Sequence, residues 1–146
     1  MKIELKNIKH SEFASAETNC FEASVWIDGK RAGTVKNDGQ GGPNMYHPWT
    51  LENVLNEYAK TLPPVNAFGY EIQDDADTLI HPILTAWLTN KENRRICARR
   101  TCFRKPGAQY QLGEWHTYSK NYSPAVAAHL RSKYGADVRI LNEELK

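Results

Sequence analysis

The chain has 146 residues, 40% hydrophobic and 25% charged, with four Trp, seven Tyr and a formal net charge of +2. This size and balance suit one compact domain that buries roughly two-thirds of its unfolded surface, and they exclude a disordered tail. No stretch approaches the roughly 20 apolar residues of a bilayer span, so membrane insertion is excluded.

Three cysteines, Cys20, Cys97 and Cys102, include no CxxC pair. An odd count without that spacing argues against a disulfide framework and a tetrahedral zinc site, and points to the reducing cytoplasm. The opening MKIELKNIKH alternates charged and apolar residues and reads as a strand through Ile3, Leu5 and Ile8, not as a signal peptide. A polar link with a lone Phe13 follows. Phe21, Ala23, Val25 and Ile27 then share one face of a second strand, with Glu22, Ser24 and Trp26 on the other. Asp28-Gly29 turns the chain into Arg31 to Val35. A three-residue loop with Gly29 left-handed is expected, because it sets Val35 opposite Phe21.

Asn37 to Pro48, NDGQGGPNMYHP, reads as irregular. Thr50 is the expected cap of a helix carrying Leu51, Val54, Leu55 and Tyr58, which Pro63-Pro64 must end. An acidic run, Glu71, Asp74, Asp75 and Asp77, precedes a helix with Leu79, Ile80, Ile83, Leu84, Trp87 and Leu88 on its buried face. Acids suit the positive end of its dipole, and Pro82 is expected in its first turn. This periodicity stops at Asn90. Ile96 to Arg104 reads as a strand, Lys105 to Ala108 as a turn and Tyr110 to Tyr118 as the hairpin partner. The last helix has Ser123 as N-cap, Pro124 at its first position, Val126, Ala127, Leu130 and Tyr134 on one face, and Gly135 as its stop. Val138 to Leu141 closes with a short strand. The expected fold is therefore a single α+β domain over 1–146, a three-stranded antiparallel meander and a C-terminal hairpin packed with about three helices.

Lys91 to Lys105, KENRRICARRTCFRK, holds seven Lys or Arg against Glu92 alone. Arg94, Arg95, Arg99, Arg100 and Arg104, with Trp115 as an apolar anchor, form a candidate binding surface for an acidic protein face. The same arginines could hold nucleic acid, with Tyr110, Trp115 and Tyr118 stacking on bases. An overall charge of +2 is low for a dedicated nucleic-acid binder, so a protein partner is preferred. The Gly-rich loop is a second candidate, with Asn37, Asp38, Tyr46 and His47 as ligand groups. It lacks the Walker and dinucleotide spacings, and a small hydrolase or nucleotide-processing enzyme centred on Asp38 and His47 is the rival reading. The arginines around Cys97 and Cys102 would lower a thiol pKa and raise the prospect of a reactive thiolate. A five-residue separation in a strand puts the two on opposite faces, so buried small hydrophobes are the better account. The five histidines form no HExxH or Cys/His cluster, the acidic run lacks a nuclease pattern, and no metal or cofactor is expected.

Several segments resemble short, largely uncharacterised accessory proteins of bacteriophages and other mobile elements. They are the opening Lys2-Ile3-Glu4-Leu5-Lys6-Asn7-Ile8-Lys9, Cys20 to Ala23 running into Asp28-Gly29, Asn37-Asp38-Gly39 with Gly41-Gly42, and Tyr122-Ser123-Pro124 through Lys133-Tyr134-Gly135. The resemblance implies a cytoplasmic binding protein that occludes a host protein or complex, such as a defence complex, and it transfers no catalytic residue.

Overall fold

The computed structural model describes residues 1–111 and 113–145, and the chain forms two compact units, Met1–Thr85 and Ala86–Lys146. The class is α+β, with an antiparallel N-terminal sheet, helices, and a C-terminal sheet that contains a hairpin.

In the first unit, β1 (Ile3–Ser11), β2 (Cys20–Ile27), β3 (Lys30–Asp38) and β4 (Met45–His47) lie side by side in chain order, all antiparallel. Alternation builds the sheet: Phe21, Ala23 and Val25 are buried while Glu22 is exposed. The β2–β3 connection corrects the expected three-residue loop. It is a two-residue turn in which Asp28 and Gly29 have φ of 49° and 80°, the left-handed pair that a type I′ hairpin needs. The extra residue lies inside the strand. Val25 pairs with Gly33 and Trp26 with Arg31, so Ala32 bulges, and Val35 faces Ala23 instead of Phe21. One inserted residue restores the parity that a two-residue turn alone would break, and Val35 stays fully buried.

The Gly-rich segment is more regular than expected. Asn37 and Asp38 finish β3, and Met45–His47 returns as a fourth strand, with Tyr46 opposite Val35. The helix α1 (Trp49–Lys60) starts before Thr50; Pro48 holds the cap position and no side chain caps the helix. Its buried face is Leu51, Leu55 and Ala59, so Val54 is off the core. A hairpin that the sequence reading lacks, β5 (Val65–Ala67) with β6 (Tyr70–Ile72), precedes α2 (Ala76–Cys97).

The start of α2 is a reciprocal cap: Thr78 N–H donates to Asp75 Oδ1 at 2.9 Å and Asp75 N–H donates to Thr78 Oγ1 at 2.8 Å. Pro82 therefore lies within the helix and not in its first turn. The helix also continues past Asn90 to Cys97, which removes the expected strand from Ile96. Lys, Glu and Arg are good helix formers without any apolar period, and Arg95 pairs with Glu92 three residues back.

In the second unit, β7 (Thr101–Arg104) is central to a three-stranded antiparallel sheet between β8 (His116–Tyr118) and β9 (Arg139–Ile140). The hairpin partner is thus three residues long, shorter than the expected Tyr110 to Tyr118. The helix α3 (Pro124–Tyr134) follows its prediction: Ser123 Oγ accepts from Val126 N–H, and Gly135 is the C-cap. Phe103, Val126, Ala127, Leu130, Val138 and Ile140 form the core, with Tyr118, Tyr122 and Tyr134 packed against it. A short α4 (Leu141–Glu144) ends the described chain. Its Asn142 accepts from Cys102 N–H and donates to the carbonyls of Cys97 and Arg100, which fixes the turn between α2 and β7. No described helix is long and apolar enough to cross a membrane.

Candidate functional site

The five candidate arginines do not form one row on a strand. Arg94 and Arg95 sit in the last turn of α2, Arg99 and Arg100 in the turn that Asn142 holds, and only Arg104 on β7. Arg94, Arg95, Arg99 and Arg100 are exposed, and Arg95 is ion-paired with Glu92. Arg104 is a strut. Its Nε donates to Glu114 O at 2.9 Å and its Nη2 to Gln111 O at 3.2 Å, while the guanidinium lies 4.1 Å from the Trp115 ring centre. Arg139 lies 5.3 Å from the same ring and pairs with Glu144 at 2.7 Å.

Arg104 and Arg139 are cross-strand partners, an arrangement that repels unless something intervenes. The face of Trp115 and the Glu144 carboxylate supply the compensation. Arg139 is the member of this group that sequence reasoning missed. No local pattern links it to Arg104; only the β7–β9 pairing does.

The charge is segregated along the chain. The second unit has twelve Lys and Arg against five acids, or +7, and the first has seven against twelve, or −5. A whole-chain value of +2 conceals both.

The four loop candidates diverge. Asn37 and Tyr46 point into the first unit, whereas Asp38 and His47 are exposed. His47 pairs with Thr34, four residues along β3 from Asp38, roughly 13 Å at strand rise. They also line different recesses: Asp38 with Lys9, Lys36 and Met45, and His47 with Arg31, Gly33 and Thr34. The structure brings no Asp38–His47 dyad together.

Asn37 instead organises the loop. Its Oδ1 accepts from Thr18 Oγ1 and Gly39 N–H, and its Nδ2 donates to Gly42 O and Asn44 Oδ1. A Cβ at Gly39, where φ is 84°, would collide with the Ala14 carbonyl oxygen, so this glycine admits the 14–18 segment. Tyr46 donates to Asp77 Oδ1 at 2.7 Å; burial, and then this bond, push its phenol well above the usual tyrosine range.

Asn37 also lines a cavity of about 650 Å³ that sequence reading did not find. Phe21, Ile80, Pro82 and Leu84 supply its apolar wall, and Glu17, Asp75 and Asp77 supply carboxylates. These residues come from three stretches of chain far apart in sequence, so no motif announces the site.

Cys102 is buried and Cys97 partly so, in keeping with small apolar groups and not with a reactive thiolate. Burial raises both thiols, Cys102 to about 12, more than Arg100 lowers it. Cys97 ends α2 and does not lie in the strand, which removes the opposite-face argument, and both thiols are free. His116 stacks on Phe103 and bonds to the Tyr110 hydroxyl at 3.1 Å, and His129 packs on Tyr118. Among the described residues, no group of three or more His, Cys, Asp or Glu is placed to hold a metal ion. No protein-family model, curated protein or solved structure matches the chain.

Proposed function

We propose that this is a non-enzymatic binding protein whose basic second unit covers an acidic face of a partner protein, as a mobile-element inhibitor of a host complex would. The observation that carries the reading is charge segregation: +7 on the second unit, with Arg94, Arg99 and Arg100 exposed around the end of α2. Clustered charge of one sign steers association and suppresses wrong partners.

A protein face is favoured over nucleic acid because the Trp115 ring already carries the Arg104 and Arg139 guanidiniums, which leaves it a poor platform for a base. The test is an affinity capture from host lysate, with and without nuclease, using the wild-type chain and R99E/R100E. Both arginines are exposed, so the double variant should melt like wild type while losing the captured protein. Undiminished capture by R99E/R100E would show that the surface is misassigned, and capture that disappears with nuclease would move the contact to nucleic acid.

A further inference from the structure

The β5–β6 hairpin of the first unit is apolar on a side that faces water. Val65 pairs with Ile72 and Ala67 with Tyr70, so these four side chains share one face, while Asn66 and Glu71 share the other. Val65 is 55% exposed, Tyr70 74% and Ile72 46%, and Phe68 in the turn is 96% exposed. A contiguous apolar patch of this kind marks an interaction surface.

Two further observations point the same way. From Val65 to Ile72 every residue but Ala67 is exposed, and a two-stranded hairpin that buries so little is marginally stable in water. Its turn is also strained: Phe68 has a φ of 52°, in the left-handed region that a bulky side chain disfavours. A strained aromatic that buries nothing within its own unit gains its contacts outside it.

The chemistry of the face selects what covers it. The face carries no carboxylate or cation, because Glu71 lies on the opposite side, so two copies meet there without like-charge repulsion although the first unit sums to −5. Its sizes are self-complementary. A two-fold axis along the strands lays β5 over β6 of a second copy, setting Tyr70 over the small Ala67 and Val65 over Ile72, each contact made twice. With about 150–250 Å² for each aromatic and less for the half-exposed aliphatics, the face offers about 500 Å² per copy, or about 1,000 Å² in all, the lower limit for a specific interface. Strands of three residues present too short an edge for strand addition, which leaves packing by the face. We propose that the hairpin is a self-association surface, on which a second copy of this chain packs face to face as a weak two-fold dimer.

The experiment is sedimentation equilibrium of the full chain from about 10 μM to about 1 mM, the range that suits an interface of this size. The wild-type chain should pass from monomer to dimer, and about 0.5 M NaCl should leave the midpoint almost unchanged, because the contact is apolar. Y70E sets two like charges into the centre of the face and should weaken association by about tenfold or more, while the exposed position lets the monomer melt like wild type. E71K, on the opposite face, should associate like wild type. F68N separates association from folding. It relieves the turn, so hairpin amides of the dilute monomer should exchange more slowly, yet the loss of the aromatic should weaken the dimer by roughly fivefold. A purely structural Phe68 would not produce that opposed pair.

A wild-type chain that stays monomeric at the highest concentration overturns the proposal and leaves the face to a different protein. Association that salt or E71K abolishes and Y70E spares overturns it as well, since that pattern belongs to attraction between the acidic unit of one copy and the basic unit of another. None of these results depends on Arg99 or Arg100, so the surface of the second unit and the hairpin stand or fall separately.

Discussion

Asn37 shows how a polar residue can be more central than its neighbours suggest. It is 6% exposed and makes four hydrogen bonds, each to a different residue of the segments that border the cavity. Removing its amide strands two donors and two acceptors, several of them shielded from water, and each such group costs roughly 1–3 kcal/mol. Asn37→Ala should therefore destabilise the chain by about 3 kcal/mol, allowing for partial rescue by water. Asp38→Ala, one residue along but on the exposed face, should cost less than about 0.5 kcal/mol. Urea denaturation of the two variants measures the contrast. From sequence the two residues are a matched pair in a turn; strand parity separates them.

At the scale of elements, what was legible depended on whether the signal was local. Ser123-Pro124 and Gly135 bracket α3 with cap chemistry that needs no partner, and Phe21, Ala23 and Val25 announce their buried face by period two. The end of α2 carried no such signal. Lys91 to Arg95 has helix propensity and an ion pair but no apolar stripe, so a reading based on periodicity stopped at Asn90. The strands β4 and β9 have three residues and two, and they exist only through pairing with β3 and β7. The Arg104–Trp115–Arg139 stack and the cavity are non-local in the same way, and neither could be read from spacing.

The β5–β6 hairpin is a further case, because its turn residue is an unfavourable one. Phe68 has φ of 52°, is 96% exposed and is followed by Gly69 at 81°. A bulky side chain is strained in this region, whereas Asn-Gly is the preferred pair for such a turn. Phe68→Asn should stabilise the hairpin by about 1 kcal/mol, read as roughly fivefold slower amide exchange across Val65 to Ile72. Unchanged exchange would mean that the hairpin opens by a route that leaves the turn intact.

For the whole molecule, the separation of charge along the chain predicts behaviour that net charge does not. The sequence pI is about 8.4, a pH at which an evenly mixed surface would be held weakly by any ion-exchange resin. Here the near-cancellation sums a first unit at −5 and a second at +7. Screening limits each resin group to charges within about 10 Å at 0.1 M salt, so a resin responds to local clusters, not to the sum. Near pH 8.4 and at low salt, the protein should be retained on both cation- and anion-exchange columns. R94E/R99E/R100E should elute much earlier from the cation exchanger and slightly later from the anion exchanger, because its losses fall wholly in the second unit. A protein retained on neither column would show that the two charge sets neutralise one another at the surface, and would remove the electrostatic basis for an acidic partner.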